Sequence, residues 1–171
     1  MSWNIHALLV QVETPEKSYK TFISKLGIGE PTLREKASFD AAIDSITDVY
    51  DGVAIGSAEG WTSVWGEPSR LIVGETELTE LSKKSKAYFF MMSGFSETYY
   101  FEAWVDGSQR RKRICQAGEV FNEHGEPLPQ EVLEYAETDD EEDRMFGLMD
   151  RLTVPHRRLT KPKFHVFDLE E

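Results

Sequence analysis

The chain has one cysteine, Cys115, so no disulfide framework can form within it, which fits a reducing compartment. Its longest apolar run, Ala87 to Met92, falls far short of the roughly 20 residues a membrane-spanning helix needs. The opening Met-Ser-Trp-Asn-Ile-His lacks the basic stretch and long apolar segment of a signal peptide, and no Asn-x-Ser/Thr acceptor occurs. The cytoplasm is the expected compartment. Positive charge is scarce, with 19 Lys and Arg against 31 Asp and Glu, a net charge of −12. A phosphate-binding surface needs a broad positive potential, so free nucleic acid is a poor partner, and a membrane surface is repelled for the same reason.

Chemistry-bearing patterns are also missing. His6, His124, His156 and His165 are scattered, with no His-x-His and no His-Glu-x-x-His. The acidic run at 139–143 lacks the spacing and the glycine of a calcium loop. No metal and no cofactor are expected. Gly27 and Gly29 follow a helical pattern instead of linking a strand to a helix, so they do not read as a phosphate loop. There is no Gly-x-Ser-x-Gly elbow, no Walker loop and no kinase set. Cys115 follows a cationic run, and positive charge lowers a thiol pKa, but a nucleophile also needs a base. A lone strand cysteine reads as a small buried hydrophobe. No catalytic residue is assigned.

What is present is a foldable core. At 171 residues, 40% hydrophobic and 12% aromatic, the chain is expected to form a single domain over 1–171, without internal repeats. Residues 5–12 read as a strand. Thr14 and Pro15 signal a helix start, followed by the stripe Tyr19, Phe22, Ile23 and Leu26. Residues 28–37 read as a loop. Ser38 caps a second helix with Phe39, Ala42, Ile43 and Ile46 inward, broken at Tyr50-Asp51-Gly52. Two short strands follow at 53–55 and 60–65, then a short helix at 76–83. The centre is β: a strand at 87–92 with both faces apolar, a second at 98–105, and a third at 108–116 joined through the hairpin signal Asp106-Gly107. Residues 119–122 extend the sheet. Helices are expected at 129–135 and 139–152, the latter with five acids in its first turn. The tail around Phe164, Val166 and Phe167 suits an edge strand. The fold class is therefore α+β, an antiparallel sheet of about five to seven strands packed by three to five helices.

With a two-residue turn at Asp106-Gly107, the hairpin register sets Glu102 opposite Arg111 and Tyr100 opposite Arg113. Tyr99, Phe101, Ala103, Val105 and Ile114 then form the core face. Tyr100, Glu102, Trp104, Arg111 and Arg113 form the outer face. Cross-strand pairing alone accounts for such a face. Trp, Tyr and Arg are also the residues that dominate binding hot spots. A bulge would exchange the faces. A second candidate is the acidic surface at Asp139, Asp140, Glu141 and Glu142, which reads either as a solvated helix start or as a contact for a basic protein.

The stretch from Tyr100 to Glu131, with Asp106-Gly107, Arg110-Arg111, Gly118-Glu119-Val120 and the run from Gly125 to Glu131, resembles a segment of small uncharacterised bacterial proteins of the toxin-immunity type. That resemblance implies a bacterial cytoplasmic protein that binds and blocks a partner toxin. The expectation is a non-enzymatic protein that occludes a basic partner. It leaves two alternatives: a small cytoplasmic enzyme with a carboxylate or His site, and an acidic DNA mimic. Partner, binding face and oligomeric state are not legible.

Overall fold

The computed structural model describes residues 3–171. The chain runs β1 (Asn4–Val10), a 3-10 turn (Glu16–Ser18) into α1 (Tyr19–Ser24), β2 (Glu30–Ala37), α2 (Phe39–Val49), β3 (Val53–Ala58), β4 (Trp61–Gly66), α3 (Glu75–Leu81), β5 (Lys86–Ser93), β6 (Thr98–Val105), β7 (Ser108–Gln116), β8 (Glu119–His124), α4 (Pro129–Glu137), α5 (Glu141–Leu152), α6 (His156–Leu159) and β9 (Phe164–Glu170). All nine strands form one antiparallel sheet, in the order β2-β9-β3-β4-β1-β5-β6-β7-β8. No helix among the described residues is long and apolar enough to cross a membrane.

The sheet is apolar on both faces because helices cover both. In β1, Ile5, Ala7 and Leu9 point to one side and Leu8 and Val10 to the other. The first side packs against Phe39, Ala42, Ile43 and Ile46 of α2, Met145, Leu148 and Met149 of α5, and Leu159 of α6. The second packs against Tyr19, Ile23 and Leu26, the segment carrying Leu71 and Val73, and Leu78 of α3. Strands buried on two faces read as near-continuous apolar runs, which is what made β1 and β5 visible. Ser38 caps α2 by accepting from the Ala41 amide.

The fold class is as expected, but nine strands and six helices exceed the five to seven and three to five read from the sequence. The loop at 28–37 is in fact β2. Only Pro31 within it is buried, because this edge strand pairs with β9 alone and its polar residues face water. Its presence moves β9 inside the sheet, between β2 and β3, so the tail is not an edge. Four-residue α6 is too short to leave a periodic signal. Thr14 does not cap the first helix; its hydroxyl is engaged with that of Thr62 at 2.7 Å.

Two histidines, His6 and His165, are buried and a third, His156, is half-buried, where protonation is costly. His6 donates from Nδ1 to the Leu71 carbonyl at 2.7 Å and meets Phe89 edge-on. His156 lies among Phe39, Trp65 and Phe146. His165 packs on Tyr19. Burial is the largest influence on each ring and holds all three below the usual histidine range. The unfolded chain therefore binds protons first as the pH falls, and stability is lost progressively below about pH 6.5. Urea midpoints should be level above neutrality and lower at pH 5.5. The His6→Gln variant, which keeps a donor for Leu71, should show a weaker decline. A midpoint unmoved by acid would mean that these rings titrate alike folded and unfolded.

Candidate functional site

The β6–β7 hairpin departs from the expected register by one residue. The turn is as read, with Asp106 and Gly107 both at positive φ. Trp104 pairs with Gln109, but Ala103 pairs with Arg111, so Arg110 is bulged out. Beyond the bulge every side chain exchanges faces. Glu102 lies opposite Lys112, Tyr100 opposite Ile114, and Phe101 opposite Arg113. Arg111, Arg113 and Cys115 join Phe101 and Ala103 beneath α4 and α5. Tyr100, Glu102 and Trp104 face the other way. The structure thus does not bring the five residues onto one face.

On the helix side, the Arg111 side chain is 2% exposed. It donates from Nε and Nη2 to the two oxygens of Glu131 at 2.9 and 3.0 Å, and from Nη1 to Glu123 and the Gly125 carbonyl. Arg113 grips Glu141 at 3.0 and 3.3 Å. Arg144 donates to the same carboxylate at 2.7 Å. Both guanidiniums lie over the Tyr135 ring, at 4.7 and 4.6 Å from its centroid. Burial would raise the Glu141 pKa, but Arg113 and Arg144 outweigh it and hold the carboxyl below its ordinary value. Burial pushes the Tyr135 hydroxyl up to about 12. The Cys115 thiol is also pushed up, first by burial and then by Glu141, against the opposing pull of Arg113. Its cationic neighbours in sequence therefore do not activate it.

On the opposite side, Glu102 is buried and accepts from Gln109 Nε2 at 2.5 Å. Trp104 is buried with Leu78 and Ala87. Tyr100 is half-buried, with the Lys112 ammonium 5.8 Å from its ring centroid. Burial and Glu102 raise its hydroxyl pKa. The acidic run also divides. Asp139 is fully exposed, Asp140 caps α5 by accepting from the Asp143 amide, and Glu141 is the internal partner of Arg113. Glu142 accepts from the backbone amide of Trp3 at 3.1 Å.

Trp3 leads to the feature that sequence reading missed. A cleft of about 440 Å³ lies between α2 and the start of β1. Its apolar walls come from Trp3, Ile5, Ile43 and Tyr50. Asp40, Asp44, Asp48 and Glu67 supply four carboxylates, and no histidine, cysteine, lysine or arginine lines it. Among the described residues none of the four carboxylates forms an ion pair. The aspartates stand at i, i+4 and i+8, one face of α2. That spacing was legible, but the stripe beside it was read only for its core residues. Tyr50 closes the cleft in the left-handed conformation, φ 53°, with its ring 75% exposed. For a residue other than glycine this costs about 1–2 kcal/mol. The conformation ends α2, with the Tyr50 amide donating to the Ile46 and Thr47 carbonyls.

Such an arrangement attracts cations and offers aromatic surface to them. Among the described residues no three His, Cys, Asp or Glu side chains group as metal ligands. No family model, curated protein or solved structure matches the chain.

The Arg111–Glu131 pair makes a direct test of how the hairpin is held. Removing one partner strands a buried charge, so Arg111→Met should lower unfolding stability by about 3–5 kcal/mol. Adding Glu131→Leu should restore most of the loss, because an apolar pair needs no desolvated ion. Urea denaturation of the single and double variants measures both steps.

Proposed function

We propose that this chain is a non-enzymatic binding protein that covers a basic protein surface, in the manner of an immunity protein occluding its toxin. One observation carries the reading. Trp3 lines the α2 cleft and its amide is bound to Glu142 at the start of α5. Trp3 thus joins the cleft with its carboxylates to the acidic start of α5, and in this reading the two act together on the partner. Tyr99 lies close enough to α5 for Glu142 and Asp140 to help burial raise its hydroxyl pKa. Complementary charge speeds encounter, and aromatic anchors hold the complex once formed. The resemblance of Tyr100–Glu131 to toxin-immunity proteins is in keeping with this reading. Arg111 and Arg113, engaged inside the protein, act in it as supports of the surface; Asp139, Asp140 and Glu142 act as part of the surface itself.

The test is co-expression with a basic toxin domain encoded beside the gene. Restored growth together with a stoichiometric complex is the expected result. Restored growth without a complex would reject occlusion. The association rate should fall with added salt, and the triple variant Asp40→Asn, Asp44→Asn, Asp48→Asn should lower it by about tenfold at low ionic strength. Stopped-flow fluorescence of the aromatic residues follows both effects.

A further inference from the structure

Resting on that reading, we infer that the α2 cleft seats one extended segment of the partner, with lysine or arginine at alternating positions. Charge complementarity and spacing select this occupant. Asp40, Asp44 and Asp48 lie on one face of α2, four residues apart, which places successive carboxylates about 6 Å apart along the helix axis. Side chains on one face of an extended chain recur about every 6.6 Å, because alternate residues share a face. An extended segment with basic residues at every second position therefore meets the three aspartates nearly in step.

The apolar walls fix which part of the segment goes deepest. Trp3 and Tyr50 present the accessible aromatic surface against which a lysine or arginine stem can lie, while Ile5 and Ile43 are buried behind it. Glu67 also lines the cleft and adds a fourth carboxylate. Beyond Asp48, the next hollow contains Arg34, already held by Asp168 at 2.6 Å. Asp51 in the same hollow is likewise paired, with Arg70, so the row of carboxylates outside ion pairs ends at Asp48 and the match is limited to about three basic positions. Tyr50 sits at the left-handed end of α2, where a glycine would leave the helix end intact and remove the ring from the cleft.

Two synthetic peptides of identical composition, each with three arginines and four serines, test this against the full chain by calorimetric titration. One carries arginine at alternate positions and the other in a single block. The alternating peptide should bind about tenfold more tightly, and Asp44→Asn with Asp48→Asn should remove that preference. Tyr50→Gly should weaken binding while leaving the thermal midpoint unchanged or raised, which a purely structural role for the ring would not produce. Equal affinity for the two peptides, or a preference that survives the aspartate substitutions, would overturn the inference. Aspartate substitutions that slow association with a basic partner protein but leave the preference between the two peptides unchanged would overturn it while leaving the broader binding reading intact. Failure of the chain to form a complex with the co-expressed basic toxin domain would overturn the broader reading instead.

Discussion

The structure depends on a guanidinium held inside it. The bulge at Arg110 turns Arg111 and Arg113 toward α4 and α5, and desolvating such ions costs several kcal/mol each. That cost is offset only because every side of the Arg111 fork is met, by Glu131, Glu123 and the Gly125 carbonyl. The consequence is visible in α4, which is built inside out. Its buried residues are Glu131 and Glu134, while Val132 and Leu133 are 60% and 55% exposed. Glu134 reaches Arg151 of α5 at 2.6 Å and rests against Gly147, where any β-carbon would collide with its carboxylate. This helix is docked by charge geometry, where α2 is docked by an apolar stripe.

That difference explains what could be read from the chain and what could not. The stripe of α2, the apolar strands β1 and β5 and the Asp106-Gly107 turn announce themselves through period and turn chemistry. The β2 strand does not, because an edge strand needs few apolar residues. The hairpin faces were read wrongly for a physical reason. Alternation places Ile114 on the core face with Phe101, and no such pattern signals that an arginine can occupy the buried position when carboxylates wait above it. Those carboxylates come from elements up to 28 residues further along the chain, so the pairing is a property of the tertiary structure. The α2 aspartates show the reverse case. Their spacing is written in the sequence, but their meaning depends on Trp3 and Tyr50 flanking the same groove.

Internal pairing also shapes the outside of the molecule. Seven of the nine arginines, Arg34, Arg70, Arg111, Arg113, Arg144, Arg151 and Arg158, lie within ion pairs of the fold. Their charge is committed to particular carboxylates and leaves the row on α2 uncompensated. The net charge of −12 is thus unevenly spread: acids near the arginines are neutralised locally, and those around the cleft are not.

The cleft and the buried pairs are two outcomes of one constraint. A chain with many more acids than bases must either pair its carboxylates or leave them in water. Where an arginine is available, pairing holds an element in place, as with α4. Where none is available, a carboxylate needs another donor, as Glu102 has in Gln109, or a position open to solvent, and the described α2 aspartates are all exposed. Exposure alone would give a solvated helix face. What distinguishes this one is that the adjoining groove has apolar walls and that Tyr50, at the left-handed end of α2, completes them. Water satisfies the carboxylates but gains nothing from Trp3, Ile43 and Tyr50, whereas a basic side chain with an apolar stem satisfies both. On the proposed reading, a basic polypeptide therefore suits this surface better than solvent does.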